Sequence, residues 1–341
     1  MVDVVKPPKT KEKTAVAHLE EMVPTGPTID HSTYIGGYDI GAIAGQNRFK
    51  TPLDVWAEKL KKGPKFEGNI HTDIGNAFER PALAVYAKHK GVTLNFPGTK
   101  LHPAQAFLGA TPDAVVNDRY LAQCKIVGFN TARHWGKPED GPEGIPPEVF
   151  CQVQWESFIC RANNVAPCEF AEVVAFFGTR MDVYEVPYDP DFALNLEQIA
   201  IDFWEQNVVR GIMPEVESGS AREILAALHP RNLRDELLPM DEQIREMVEE
   251  YLGLQEDEKA VKANLDTIAA RLQAAIGDGA GFQSGDGLKV TWKASKGRTS
   301  WKGVAESALA RLDRHIADML VKDNTPQWGS RSLRASRKGK K

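Results

Sequence analysis

An acid and a lysine that lie close together in the chain have the clearest chemical potential. Asp113 follows Pro112, and ten residues later comes Gln123-Cys124-Lys125. A carboxylate is a preferred ligand of Mg²⁺, and a lysine near a bound metal can activate or position an attacking water. An Asp next to Pro is most often an ordinary turn residue, so the lysine decides between the two interpretations.

Lys125 stands within an apolar segment that has the composition of a β-strand. In that setting its side chain must either reach solvent or be neutralised by a partner. Strand alternation places Gln123 and Lys125 on one face, and Cys124 and Ile126 on the other. Gln123 could offer a metal a neutral oxygen but no charge, which weakens Mg²⁺ binding. Taken alone, Gln-x-Lys is also typical of an ordinary exposed strand.

Glu79 is a further carboxylate that could reach the same place. It lies on a helix predicted over 70–90, where Asn76, Glu79 and Leu83 share one face. From there it can approach the Asp113 pocket. Without the other residues, a solvated surface glutamate would be the simpler interpretation.

Two glutamines and two basic residues complete the candidates. Gln152 and Gln154 lie in a segment apolar enough to pack, so their amides need partners, either a phosphate-bound water, a base edge or another helix. Arg48 and Lys50 precede a predicted helix start at Thr51-Pro52, a favourable place for phosphate. For each of the two, taken singly, an ordinary surface charge is the simpler interpretation.

The elements that must position these residues alternate between helix and strand. Helices are predicted over 38–60 (with a break at 45–47), 70–90, 147–159 and 190–210. Strands are predicted over 93–96, 107–110, 114–116, 120–127, 171–177 and 182–186. This order indicates an α/β core with its site at strand ends.

Composition divides the chain into four predicted parts. Residues 1–30 form a flexible arm, 31–218 the core, 219–329 a C-terminal extension and 330–341 a basic tail. Within the extension, 237–276 is predicted to be helical, either solvent-bridging or a coiled-coil-like hairpin. A β-hairpin is predicted between 288–293 and 298–301.

The bulk composition is that of an ordinary soluble protein. Of the 341 residues, 42% are hydrophobic and 26% charged, and the net charge of -5 means that any DNA contact must come from a local patch. No apolar run approaches a membrane span. None of the four cysteines forms a C-x-x-C pair, which argues against a zinc or disulfide framework. We therefore expect reduced thiols and a cytoplasmic location.

The combined motifs resemble the YqaJ-type viral recombinases, phage-borne relatives of lambda exonuclease in the PD-(D/E)xK nuclease superfamily. The resemblance covers about residues 33–215 and depends on six blocks that occur in the family's order. These blocks are Ile35-Gly36-Gly37-Tyr38-Asp39-Ile40, Thr51-Pro52-Leu53-Asp54-Val55-Trp56, Gly75-Asn76-x-x-Glu79, Ala110-Thr111-Pro112-Asp113, Gln123-Cys124-Lys125 and Gln152-Val153-Gln154-Trp155.

The resemblance implies a restriction-endonuclease-like α/β core, in which helices flank a mixed central sheet. It also implies a Mg²⁺ site, with Mn²⁺ as a substitute, and a role for each candidate residue. The implied metal ligands are Glu79, Asp113, position 123 and the backbone carbonyl of Cys124, with Lys125 as catalytic lysine, Gln154 as supporting residue and Arg48 as a binder of the DNA 5′-phosphate.

The implied activity is processive 5′ to 3′ degradation of one strand of linear duplex DNA. The resulting 3′ overhangs would serve a partner single-strand annealing protein, and the implied assembly is a homo-oligomer, by resemblance a trimeric ring. The extension after about residue 220 lies outside the resemblance.

Position 123 departs from the family, which has Glu there. Either the isosteric Gln is a change of the kind made to trap a complex without cleavage, or the protein has lost hydrolysis and kept DNA binding. Two other functions therefore stay open beside an exonuclease. One is a nuclease-silent protein that binds DNA ends, and the other is a structure-specific endonuclease on the same fold.

Overall fold

A computed structural model describes residues 29–63, 68–216, 221–232, 235–294 and 300–325. Most of the predicted arm at 1–30 and the whole of the predicted tail at 330–341 lie outside these ranges. The described residues form two compact units that divide between Leu228 and His229. This division falls ten residues after the boundary expected from composition, and each unit is described by itself.

A five-stranded mixed sheet is the centre of the first unit. Its strands lie in the order β1 (Leu94–Asn95), β4 (Ala114–Val116), β5 (Tyr120–Ile126), β6 (Phe170–Phe177) and β7 (Arg180–Pro187). Only β5 and β6 run parallel; the other neighbours are antiparallel. Two short strands, β2 (Lys100–Leu101) and β3 (Gly109–Ala110), pair separately.

Six helices surround this sheet in the described part of the first unit. They are α1 (Gly37–Ile43), α2 (Pro52–Lys59), α3 (Ile70–Lys90), α4 (Pro147–Ala162), α5 (Pro190–Phe203) and α6 (Ala221–Leu228). Their ends follow the expected chemistry. Thr51 and Asp54 form a capping box before α2, and α3 ends at Gly91, whose left-handed backbone suits glycine.

The two long helices cover opposite faces of the sheet. Val149 and Val153 of α4 pack with Leu121 of β5, whereas Leu83 of α3 packs with Ala122 on the other face. Because alternate strand residues face opposite sides, Gln123 and Lys125 lie on the α4 side. The predicted α/β fold with helices flanking a mixed sheet is confirmed.

One helix differs from its prediction within this unit. The segment predicted as a single helix over 190–210 is α-helical to Phe203 and continues over Trp204–Val209 with the wider π-type turn. None of the described helices is long and apolar enough to cross a membrane.

The second unit contains helices and one small hairpin. Its elements are α7 (Glu242–Ile276), β8 (Gly281–Gln283), β9 (Lys289–Thr291), α8 (Trp301–Leu309) and α9 (Arg314–Asp323). The helical prediction for 237–276 is confirmed over α7, but its hairpin alternative was wrong, because α7 is one helix of 35 residues. Asp241 caps its start, and no proline interrupts it before Gly277.

The β-hairpin prediction was right about one strand and wrong about its partner. Strand β9 pairs with β8, which precedes it, rather than with 298–301. Trp301 begins helix α8, because the side chain of Ser300 accepts a hydrogen bond from the backbone N–H of Gly303 and so caps the helix. Arg298 and Thr299 lie outside the described residues.

Candidate active site

Asp113 is held at the start of the β4–β5 hairpin by two donors from the next strand. Its Oδ2 atom accepts a hydrogen bond from the backbone N–H of Cys124 at 2.8 Å and another from Nε2 of Gln123 at 2.7 Å. The antiparallel register, which pairs Ala114 with Ala122, brings these atoms together. Residues ten positions apart in sequence thus form one polar cluster.

Lys125 connects this strand to helix α4 through a relay of hydrogen bonds. Its Nζ donates to Oε1 of Gln152 at 2.8 Å, and Nε2 of Gln152 donates to Oε1 of Glu156 at 2.8 Å. A lysine ammonium donates and cannot accept, so Lys125 faces the oxygen end of the Gln152 amide and the Nε2 end is turned to Glu156. Gln152 therefore connects the lysine to a carboxyl group that the lysine does not touch.

Three carboxyl groups influence one another in this region. Burial, together with the negative charge of Asp113, raises the pKa of Glu79 to about 7 and the pKa of Glu156 to about 8. Burial also raises the pKa of Asp113, although Lys125 and the two donors oppose this. Arg80 and Lys125 offset part of the repulsion at Glu79. Such a concentration of buried acids favours a bound cation.

Two buried oxygen atoms in the described part of the site have no hydrogen-bond partner. They are Oε1 of Gln123 and Oε2 of Glu156, whose residues are 3% and 2% exposed. Buried polar atoms normally have a partner, and unpaired acceptors of this kind suit a hard cation or its water. The donor set is therefore chemically compatible with a divalent cation.

The charge of the donor set is nevertheless low for such a site. Within the described ranges, no group of three His, Cys, Asp or Glu side chains is arranged to hold a metal ion. Of the four positions expected to bind metal, Glu79 and Asp113 alone supply carboxylates, since Gln123 is neutral. Cys124 could contribute only its backbone oxygen, because burial raises the pKa of its thiol to about 12.

Gln154 makes its hydrogen bonds outside this cluster, and its role as a supporting active-site residue stays a prediction. Its Nε2 donates to the backbone oxygen of Pro187 at 2.8 Å, and its Oε1 accepts from the backbone N–H of Asp189 at 2.9 Å. Both bonds fasten α4 to the connection between β7 and α5. Gln152, expected to contact DNA, is instead the glutamine that touches Lys125.

The two basic residues expected to bind DNA are already engaged with acids. Lys50 pairs with Asp39 at 2.7 Å and with Glu58 at 2.5 Å, and Asp39 is also paired with the buried Lys59 at 2.6 Å. This ion cluster joins α1 to α2, and the expected DNA contact of Lys50 stays a prediction. Arg48 pairs with Glu148 at 2.9 Å.

Glu156 and Gly37 are site residues that the sequence interpretation missed. Glu156 follows Gln152 by four positions, so Gln-x-x-x-Glu on one helical face was the available signal. Gly37 of α1 lies so close to this carboxylate that an added Cβ would stand 2.8 Å from Oε1 of Glu156. Helix α1 therefore packs directly on the relay.

Comparisons with known proteins agree with the motif-based resemblance. Residues 29–162 match the model of the YqaJ-like viral recombinase domain. The uncharacterized protein YqaJ of Bacillus subtilis (strain 168) is 24% identical over 251 residues, which cover 72% of this chain and 76% of that protein.

Two solved structures are similar in part. An alkaline exonuclease from Laribacter hongkongensis matches with a TM-score of 0.43 and 18% identity, over 53% of this chain and 90% of that one. A phage related exonuclease from Haemophilus somnus 129PT matches with a TM-score of 0.39 and 14% identity, over 52% and 96%. The YqaJ-like match over residues 29–162 confirms the resemblance expected from the motifs, and this range contains Glu79, Asp113, Gln123, Lys125 and Glu156.

Proposed function

We propose that this chain is a Mg²⁺-dependent DNA exonuclease of the phage recombination type, weakened by Gln at position 123. The observation that carries the proposal is the hydrogen bond from Gln123 to Asp113, with Lys125, Glu79 and Glu156 in electrostatic range of the Asp113 carboxyl group. The YqaJ-like domain that contains these residues supports it. Its substrate would be the end of a linear DNA duplex, degraded from 5′ to 3′.

Each residue has a definite role in this proposal. Glu79 and Asp113 would hold the cation, with neutral oxygens from Gln123 and the Cys124 backbone. A bound Mg²⁺ would supply Lewis-acid polarisation of the phosphoryl oxygen. Lys125, oriented by Gln152, would position the attacking water on the scissile phosphate. The exposed surface around the Arg48–Glu148 pair could take the 5′-phosphate only if that ion pair opens.

The test is to restore the missing charge with Gln123→Glu. We expect Mg²⁺-dependent degradation of linear duplex to rise by orders of magnitude, because a second anionic ligand from β5 would join Asp113. Asp113→Asn in the same background is the matched control and should abolish the gain. If Gln123→Glu binds Mg²⁺ normally and degrades nothing, the proposal is wrong.

The direction of degradation requires its own measurement. End-labelled linear duplex, with and without a 5′-phosphate, should be shortened from the 5′ ends by Gln123→Glu and leave 3′ single strands. Such products would suit a partner single-strand annealing protein, and a homo-oligomeric ring would account for processivity. Loss of label from the 3′ ends first would contradict the proposed polarity.

The neutral Gln123 specifically favours a second candidate, a protein that binds DNA ends without cutting them. The chain as it stands would then bind linear duplex and release no nucleotide with either Mg²⁺ or Mn²⁺. A third candidate, a structure-specific endonuclease, would cut closed circular duplex, which an exonuclease that needs an end leaves intact.

A further inference from the structure

Helix α7 carries an apolar seam that its own unit leaves exposed. The seam residues recur at alternating spacings of three and four along the helix. They are Ile244, Met247, Tyr251, Leu254, Glu258, Val261, Leu265, Ile268, Leu272 and Ala275. Seven of the apolar ones are 38% to 61% exposed. A repeat of this period is the pattern of a coiled coil, in which a second helix covers the seam.

We propose that α7 pairs in antiparallel orientation with the α7 helix of a second copy of this chain. The first reason is register. When Leu254 lies opposite Leu265 of the other copy, the seam residues on both sides of this pair also meet one another. Tyr251 then lies opposite Ile268, and Met247 opposite Leu272. A shift by one heptad in either direction leaves two seam residues at each end uncovered.

The second reason is the one charged residue in the seam. In a parallel pair, Glu258 would face Glu258 of the other copy, and like charges in such a position repel. In the antiparallel register Glu258 faces Val261, and Lys262 lies one helical position further on. A carboxylate at this place therefore selects against the parallel arrangement.

Charges beside the seam supply the third reason. Glu250 and Arg271 both occupy the position just before a seam residue. The antiparallel register places Glu250 of each copy beside Arg271 of the other copy, so this contact occurs twice. Neither has an opposite charge three or four residues away on its own helix. Their attraction is thus available to a second copy.

The primary experiment maps the contact by cysteine cross-linking in the full-length chain. The variant Leu254→Cys with Leu265→Cys is oxidised, digested with trypsin and analysed by mass spectrometry. Cleavage at Lys259 and Lys262 separates the two positions. Within one helix they lie about 16 Å apart, too far for a disulfide. A link between residues 254 and 265 therefore reports an antiparallel pair.

A charge exchange tests the same register without cysteines. Glu250→Arg should weaken dimerisation about tenfold in sedimentation, because two attractions become repulsions. Adding Arg271→Glu should restore it. The control is Ala260→Glu, which adds charge on the opposite side of the helix. Circular dichroism checks that each variant stays helical.

Three results would overturn the proposal. Links between identical positions would indicate a parallel pair. Absence of intermolecular links in a helical protein would mean that another segment or partner covers the seam. Failure of Arg271→Glu to rescue Glu250→Arg would reject the register. None of these outcomes depends on nuclease activity, so they leave the proposed function untouched.

Discussion

The amide of Gln123 stabilises the carboxylate of Asp113, as a bound cation would otherwise do. Its Nε2 donates to Oδ2 of Asp113 and stabilises that carboxylate, while its Oε1 is buried without a partner. A glutamate at the same place could not donate and would instead repel Asp113. The native residue therefore keeps the site folded in the absence of metal, at the expense of metal affinity.

This substitution of an amide for a cation predicts a metal-dependent stability. Without divalent cations, Gln123→Glu should lower the free energy of unfolding by about 1–3 kcal/mol, because a hydrogen bond is replaced by repulsion. Mg²⁺ should recover the loss, whereas the native chain should change little. Urea unfolding with and without Mg²⁺ measures both. Equal responses of the two proteins would contradict this account.

The raised pKa values predict that stability falls as pH rises. Glu156 and Glu79 bind protons more tightly in the folded chain than at the ordinary pKa of about 4.3 for an unfolded glutamate. Their stabilising contribution is therefore complete below about pH 4.3 and is lost as pH rises through about 7 and 8. In the native chain, Glu156 should therefore lower the free energy of unfolding by on the order of 2–3 kcal/mol between pH 5 and 8. Glu156→Gln should abolish this decrease.

Denaturation of the metal-free protein at several pH values measures this loss. The matched control is Glu148→Gln, which removes a glutamate outside the relay on the same helix. A Glu156→Gln protein whose stability follows pH as steeply as the native chain would show that Glu156 does not titrate in this range.

At the scale of elements, helix α4 carries two glutamines that point in different directions and contact different parts of the chain. Gln152 faces the sheet and contacts Lys125, whereas Gln154 faces the β7–α5 connection. Positions two apart on a helix point about 200° from each other, so the two amides cannot share one site. The structure gives Gln154 two backbone partners, and its expected role at the site stays a prediction.

The two glutamines predict separable effects in the Gln123→Glu background. Gln154→Leu should cost about 1–3 kcal/mol of stability, because it leaves a buried backbone oxygen and N–H unpaired, yet preserve most activity. Gln152→Leu should cost about tenfold or more in activity with little loss of stability, since Lys125 loses its orienting acceptor. Thermal unfolding and rates on linear duplex separate the two. A reversed pattern would restore Gln154 to the site.

Most elements of the first unit were predictable from local patterns, and the reasons are visible in particular residues. Thr51-Pro52 and Gly91 mark helix ends, and β6 is apolar on both faces except for Glu172, because helices cover both faces. The relay could not be predicted from the sequence, because the direction in which α4 crosses the sheet decides which face of the helix meets β5. That face carries Gln152 and Glu156 but not Gln154. In the extension, the strand that pairs with β9 has only one large apolar side chain, Phe282, and that side chain is half exposed, so the sequence pattern did not mark β8 as a strand.

At the scale of the whole chain, helix α6 belongs with the first unit rather than with the extension. Ala221 and Ile224 are 3% and 5% exposed and pack in the same apolar cluster as Trp56 of α2. The composition change near residue 219 therefore does not mark where the first core ends. The end of α6, at Leu228, does.

This boundary predicts the outcome of truncation. A chain that ends after Leu228 should keep the stability of the first unit, whereas one that ends after Gly219 should lose about 2–3 kcal/mol, because the apolar surface under Ile224 becomes exposed. Thermal unfolding of both fragments is the measurement. Equal melting temperatures would place α6 outside the first core.

The segment around Gly37 has a consequence for how the site is completed. Backbone bonds from Ile35 to Phe107 and Gly109 brace the approach to Asp113, and two residues later the glycine backbone lies against Glu156. A fragment starting after Ala44 would thus contain every candidate ligand and the lysine. It would lack the residues that bond to Phe107 and Gly109 and that pack against Glu156. This segment contributes no reactive group, yet we expect its packing to govern whether the reactive groups can assemble.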